Sequence, residues 1–179
     1  MKKILCIALC IISAAYSFWY ASLGGFSGND GALSKIGLEH PVLFAIWGIL
    51  TFAALSANII TGYMKTKYKF YIFLLTIAFI GMMFTLIFDF NYKIMPDYYL
   101  HCGGSLTFSA VMGVTVFMLF LLTKRYVLTV ITGIILFGDL MLLIAFKETA
   151  IIELAPIFSG YVMLCIHNFA ERRTVELVK

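Results

Sequence analysis

The stretch from Tyr126 to Phe146, YVLTVITGIILFGDLMLLIAF, decides the fold class of this chain. It contains a single charged residue, Asp139, and it is long enough to cross a bilayer, which takes about 20 apolar residues in a helix. Lys124 and Arg125 precede the stretch and Lys147 follows it. The pattern predicts a transmembrane helix.

Five further apolar runs fill most of the remaining sequence and predict spans near 4–22, 41–63, 70–90, 102–123 and 149–169, in addition to 126–146. The chain is 63% hydrophobic and 12% charged, whereas soluble domains are roughly 45–50% apolar and about 25% charged. The runs are continuous rather than alternating, which favours helices over membrane strands. We therefore predict an all-α integral membrane bundle of six transmembrane helices that forms a single membrane domain over residues 1–179.

The short gaps between the runs alternate in charge. Ten of the thirteen Lys and Arg residues lie in the gaps on one side, and only Lys35, Lys93 and Lys147 lie on the other. Because basic short loops stay in the cytoplasm, we expect both termini to be cytoplasmic. The segment after Lys3 is similar to a signal peptide, but its apolar character continues to Tyr20, which favours a retained first helix over cleavage.

The net charge of +4 is explained by this flanking pattern. We expect membrane lipids rather than nucleic acid as partners, and a multi-pass location in a cell membrane. The sequence leaves the oligomeric state open.

The acidic residues follow the same asymmetry, since seven of the nine fall on the outer side of this topology. Asp139 and Glu153 lie within spans five and six. Both are about 9–12 Å from the predicted turn at Lys147 that joins these spans on the outer side. A carboxylate inside a span costs about 2.5–3.5 kcal/mol and usually faces the bundle interior. The two acids predict a polar cavity that opens outward.

Other polar residues are expected at the mouth of this cavity. His101 and Ser105 share one face of span four. Asp89 lies at the end of span three, and Glu39 and His40 lie at the start of span two. If the protein is an enzyme, His101 is the predicted general base or metal ligand, with Asp89 or Glu153 as its carboxylate partner. Asp139, Ser105, His40 and Glu39 are the predicted ligand-binding residues.

Each of these residues also has a structural interpretation. Glu39 is then a solvated charge at headgroup level, Asp89 lies at a helix end near the interface, and His101 is an interfacial histidine without a further role. Asp139 and Glu153 would then be protonated carboxyl groups bonded to neighbouring helices.

A metal site is left open by the sequence. His167 belongs to the cytoplasmic end of span six, about 20 Å or more from His101 by helix rise, so a three-histidine zinc site is excluded. A site formed by His40 and His101 with Asp89 or Glu153 is compatible with the topology. No motif specifies a cofactor.

The segment from Met95 to Phe108, MPDYYLHCGGSLTF, resembles the start of span four in bacterial six-helix membrane proteins of unknown function allied to the Frag/DRAM/Sfk superfamily. There a proline precedes a helix-opening histidine that is followed by glycine and an aromatic residue. The segment from Lys147 to Glu153 is similar to that family's last span, which carries an acid near its outer end. The resemblance implies a six-helix fold in a bacterial plasma membrane, and eukaryotic relatives are linked to lipid remodelling. The resemblance assigns the family's histidine to His101, and the family's acid corresponds to Glu148 or Glu153.

Three functions fit these features. The leading one is a membrane protein with an outward-facing pocket that binds or processes a lipid headgroup. The second is a small proton-coupled transporter in which Asp139 and Glu153 titrate. The third is a non-catalytic assembly or immunity-type protein whose polar residues only join helices. Nothing in the sequence requires turnover.

Overall fold

The computed structural model describes residues 2–26, 31–146 and 149–176. All regular secondary structure in these ranges is helical, and no strand is present there. The helices are α1 (Lys2–Ser22), α2 (Leu33–Glu39), α3 (Pro41–Tyr63), α4 (Tyr71–Ile87), α5 (Met95–Leu122), α6 (Tyr126–Phe146) and α7 (Ala150–Glu176). The chain is therefore all-α, as its sequence predicts.

Five of these helices, α1, α3, α5, α6 and α7, are long and apolar enough to cross a membrane. The sixth apolar helix, α4, is shorter, with 17 residues. The outer surface of the bundle is apolar rather than charged: Val127 is 73% exposed and Ile144 is 72% exposed. A soluble protein would bury such side chains, so the architecture is that of a helical membrane bundle.

Helix α3 occupies the middle of this bundle and packs against α1, α2, α4, α5 and α7. Its buried side chains include Ala54, Leu55, Ile59 and Tyr63, which form the main core together with residues of α5 and α7. Helix α6 lies at the periphery, where it packs mainly along α5 and α7. This leaves most of its side chains partly or fully exposed.

Helices α4 and α5 approach each other through two glycines. A Cβ atom added at Gly81 would lie 2.8 Å from the carbonyl oxygen of Gly104, and one added at Gly104 would lie 2.7 Å from the carbonyl oxygen of Gly81. Small residues allow helix backbones to touch in membranes, where packing rather than water drives association. The glycine pair fixes the C-terminal half of α4 against the segment of α5 that carries His101.

The helix boundaries differ from the predicted spans most clearly at α5. The predicted span began at 102, but the helix begins at Met95 with Pro96 in its first turn and Asp97 close behind. Proline is favoured at this position because the first amide has no intrahelical partner, and an acid there complements the helix dipole. His101 consequently lies inside the helix and not at its opening. Helix α4 ends at Ile87 rather than at the predicted 90, which leaves Asp89 beyond the helix.

The short helix α2 was not predicted. Its residues Leu33 and Ile36 join a second core cluster that contains Tyr20 of α1, Phe44 and Trp47 of α3, and Ala150 and Leu154 of α7. The opposite face, with Leu38 and Glu39, is exposed. Helix α2 therefore covers the ends of α1, α3 and α7 at the side predicted to be outside.

Candidate functional site

A cavity of about 290 Å³ lies between α5, α6 and α7, with contributions from α2, α3 and α4. It is mostly apolar, and its described polar lining consists of two carboxylates, one histidine and several hydroxyl groups, besides Trp47 and Cys102. The lining residues used below are Ser34, Trp47, Thr85, His101, Ser105, Ser109, Ala110, Asp139 and Glu153. Its volume is at the lower end of the range of about 300–1,000 Å³ that is usual for small-molecule sites.

Four of the seven predicted site residues line this cavity: His101, Ser105, Asp139 and Glu153. The other three, Glu39, His40 and Asp89, are exposed and do not line it. Glu39 and His40 lie at the junction between α2 and α3, where His40 ends one helix and precedes the next.

His101 is 2% exposed and both of its ring nitrogens are hydrogen-bonded. Nδ1 lies 2.9 Å from the carbonyl oxygen of Phe88, the C-cap residue that follows α4. A carbonyl only accepts, so Nδ1 carries the proton; in the neutral ring Nε2 then accepts the hydroxyl of Ser34, 2.8 Å away. The histidine thus ties α5 to the end of α4 and to α2.

Glu153 is bonded to the same short helix. Its Oε2 atom accepts the backbone N–H of Leu33 at 2.6 Å, in the first turn of α2. A carboxylate suits this place because the first amides of a helix have no intrahelical acceptor. The hydroxyl of Tyr20 donates to the carbonyl of Leu33 at 3.0 Å. Helix α2 is therefore held at consecutive residues by Glu153 from α7 and His101 from α5.

Asp139 differs from Glu153 and His101 in having no such bond. It is half-buried in the C-terminal part of α6 and faces the cavity. Within the described ranges no residue forms a hydrogen bond or ion pair with its carboxylate. A carboxylate at membrane depth needs compensation, so Asp139 is the polar group of the cavity with most to gain from a ligand.

A second group of buried polar side chains extends from the cavity toward the other end of the bundle. The indole N–H of Trp47 donates to Ser17 at 3.1 Å, the hydroxyls of Ser13 and Tyr161 are 2.7 Å apart, and Asn168 donates to the side-chain oxygen of Asn58 at 3.2 Å. We call these residues the inner polar group. They join α1, α3 and α7.

His167 lies next to this inner polar group and away from His101, as predicted. Its ring packs against Phe120 with 5.4 Å between the ring centroids. Phe120 is 19 residues beyond His101 on the same helix, which corresponds to about 28 Å of helix rise. His167 therefore belongs to the opposite end of the bundle. Among the described residues, no group of three or more His, Cys, Asp or Glu side chains is arranged to hold a metal ion.

Several residues of the cavity and of the inner polar group were missed at the sequence level. Ser34 belongs to α2, where the buried Leu33, Ile36 and Gly37 already show helical spacing in the sequence. Ser13 and Ser17 are one turn apart on α1, a pattern that places two hydroxyls on one face. No comparable signal marks Trp47 or Tyr161, because aromatic residues are common throughout the chain.

Comparison with known proteins adds no relative. No family model matches the chain, no curated protein is significantly similar to it, and no solved structure matches its fold. The class of the protein rests on its own helices, and it is a multi-pass helical membrane protein.

Proposed function

We propose that the chain crosses the membrane six times, with both termini in the cytoplasm, and binds the polar end of an amphiphile in the cavity from the outer side. The sixth crossing is α4, whose 17 residues are at the short end of the usual range of about 17–25. The charge distribution of the gaps supports this topology. The resemblance to bacterial six-helix proteins stays a prediction, and with it the bacterial plasma membrane as the location.

The observation that carries the proposal is the composition of the cavity. An apolar space inside the bundle, with a few convergent polar groups, is the usual form of a small-molecule site. Asp139 supplies the polar group that lacks a partner among the described residues, and Ser105 supplies a hydroxyl nearby. The apolar walls suit a hydrocarbon chain.

We propose binding rather than turnover. Nε2 of His101 accepts the hydroxyl of Ser34 on the short helix α2. Glu153 accepts a backbone amide of the same helix. These bonds give both residues a positioning role at the wall of the cavity.

The test is native mass spectrometry of the purified full-length protein, released from a nonionic detergent. We expect a co-purified amphiphile on the wild-type protein and on Asp97→Asn, which removes an acid outside the cavity. Asp139→Asn should lose most of that adduct while keeping its helical content. Equal adducts on Asp97→Asn and Asp139→Asn, or none on the wild type, would contradict the proposal.

The inner polar group favours a second candidate, the proton-coupled transporter. A transporter needs a path across the membrane, and the hydroxyls of Ser13 and Tyr161 lie between Trp47 at the cavity and Asn58 farther along. The distinguishing measurement is pH-driven flux in liposomes. Flux that Tyr161→Phe abolishes would support transport, whereas ligand binding with no flux would support the binding function alone.

A further inference from the structure

We infer that the ligand of the cavity carries a positive charge at its polar end, so that the site selects amphiphiles with an ammonium group over those with a nonionic or purely anionic head. This inference rests on the proposed binding function and names the class of its ligand. It follows from the hydrogen-bond inventory of the lining, from its charge, and from its apolar walls.

The polar lining offers mainly acceptors. The N–H and O–H groups that an anionic head would need are largely engaged elsewhere: the indole N–H of Trp47 donates to Ser17, Nδ1 of His101 to Phe88, the hydroxyl of Ser34 to His101, and that of Thr85 to the carbonyl of Gly81. Among the hydroxyl groups of the described lining, only those of Ser105 and Ser109 form no hydrogen bond with another described residue. Two hydroxyls are too few to solvate a phosphate.

The charged groups of the described lining are all negative. Asp139 and Glu153 contribute carboxylates, and the described lining contains no Lys or Arg. An anion placed here would add a like charge in a medium of low dielectric, where repulsion is strong. An ammonium group supplies the counter-charge that Asp139 lacks within the described chain, which removes the cost of a lone carboxylate at this depth.

Glu153 supports the charge without giving up its structural bond. Its Oε2 atom accepts the amide of Leu33, and the carboxylate keeps its negative charge while it accepts that bond. An ammonium group in the cavity therefore contacts Asp139 directly and gains from the field of Glu153.

The apolar side chains that line the cavity favour a ligand with a hydrocarbon chain. Trp47, Leu136, Leu140 and Ile157 line the cavity around the acids. A cavity of about 290 Å³ accommodates an amine head with part of a chain. The ammonium group has two sources, a free long-chain amine or the headgroup of a phospholipid such as phosphatidylethanolamine.

The experiment compares three amphiphiles of one chain length: dodecylammonium, dodecanol and dodecyl phosphate. Each is titrated into the purified full-length protein in nonionic detergent, and binding is measured from the fluorescence of Trp47 in a Trp19→Phe background. We expect dodecylammonium to bind at least about tenfold more tightly than the other two. Asp139→Asn should weaken it by about ten- to a hundredfold, the usual effect of losing a charge-assisted hydrogen bond.

Two variants serve as controls. Asp97→Asn removes an acid outside the cavity and should leave the affinity unchanged. Ala110→Phe fills the cavity and should abolish binding of all three probes, while circular dichroism confirms that both variants are folded.

The outcomes separate the inference from the function on which it rests. Tighter binding of dodecyl phosphate, blocked by Ala110→Phe, overturns the ammonium inference and leaves the binding site standing. Binding of none of the probes, or binding that Ala110→Phe does not reduce, overturns both. A second arm places the protein in nanodiscs: displacement of dodecylammonium by phosphatidylethanolamine but not by phosphatidylglycerol identifies the lipid as the source, and displacement by neither identifies a free amine.

Discussion

The hydrogen bond between His101 and Ser34 predicts a measurable contribution of this histidine to the stability of the fold. His101 bonds the carbonyl of Phe88 and the hydroxyl of Ser34 from a site that is 2% exposed. His101→Phe keeps an aromatic ring but leaves both partners buried without an acceptor or donor. At about 1–3 kcal/mol for each of the two unsatisfied groups, we expect a loss of about 2–6 kcal/mol in unfolding free energy.

A double-mutant cycle measures the bond itself. Ser34→Ala alone should cost about 1–2 kcal/mol, because Nε2 of His101 loses its donor. Hydrogen bonds between helices in membranes contribute about 0.6 kcal/mol on average and up to about 1.7 kcal/mol. We therefore expect the double variant to be less destabilised than the sum of the single variants, by about 1 kcal/mol.

The assay is equilibrium unfolding by sodium dodecyl sulfate in mixed micelles, followed by circular dichroism. Ser105→Ala is the matched control, since it removes a hydroxyl one turn along the same helix and should cost less than about 0.5 kcal/mol. Strict additivity of His101→Phe and Ser34→Ala, within about 0.3 kcal/mol, would refute the reasoning because contacting residues should couple.

Three further predictions concern the packing around the site. Gly104→Ala should destabilise the protein by about 1–3 kcal/mol because its Cβ meets backbone of α4, whereas Gly103→Ala, which faces open space, should be neutral in the same unfolding assay. Glu153→Ala should speed hydrogen exchange of the α2 amides, and Glu153→Gln, which keeps an acceptor for Leu33, should do so far less. Ser13→Ala should cost about 1–2 kcal/mol by leaving the buried hydroxyl of Tyr161 with one partner fewer; a thermal midpoint equal to that of the wild type would contradict this.

The sequence predicted the helical membrane class because that class follows from composition and run length alone. The alternating charge of the gaps also sorted polar residues by depth, and His101, Asp139 and Glu153 do line one cavity. Depth is readable from sequence because each helical residue advances by a fixed rise of about 1.5 Å.

The rotation of each helix about its axis, and the hydrogen-bond partner of each side chain, could not be predicted in the same way. Asp89, grouped with His101 by depth, is exposed beyond the end of α4, while the carbonyl of its neighbour Phe88 makes the contact instead. Every residue has a backbone carbonyl, so the residue type does not indicate which carbonyl accepts a hydrogen bond. Helix α2 was missed because seven residues are too few to stand out in a search for runs of about 20.

The bond between Glu153 and Leu33 has a consequence for the order in which the protein is made. It joins residues 120 positions apart, and a chain leaves the ribosome from its N-terminus. Helix α2 therefore lacks this acceptor until α7 has been synthesised and has entered the membrane. The cavity is completed only at that stage, and a chain truncated before α7 lacks one side of the cavity and the acceptor for Leu33.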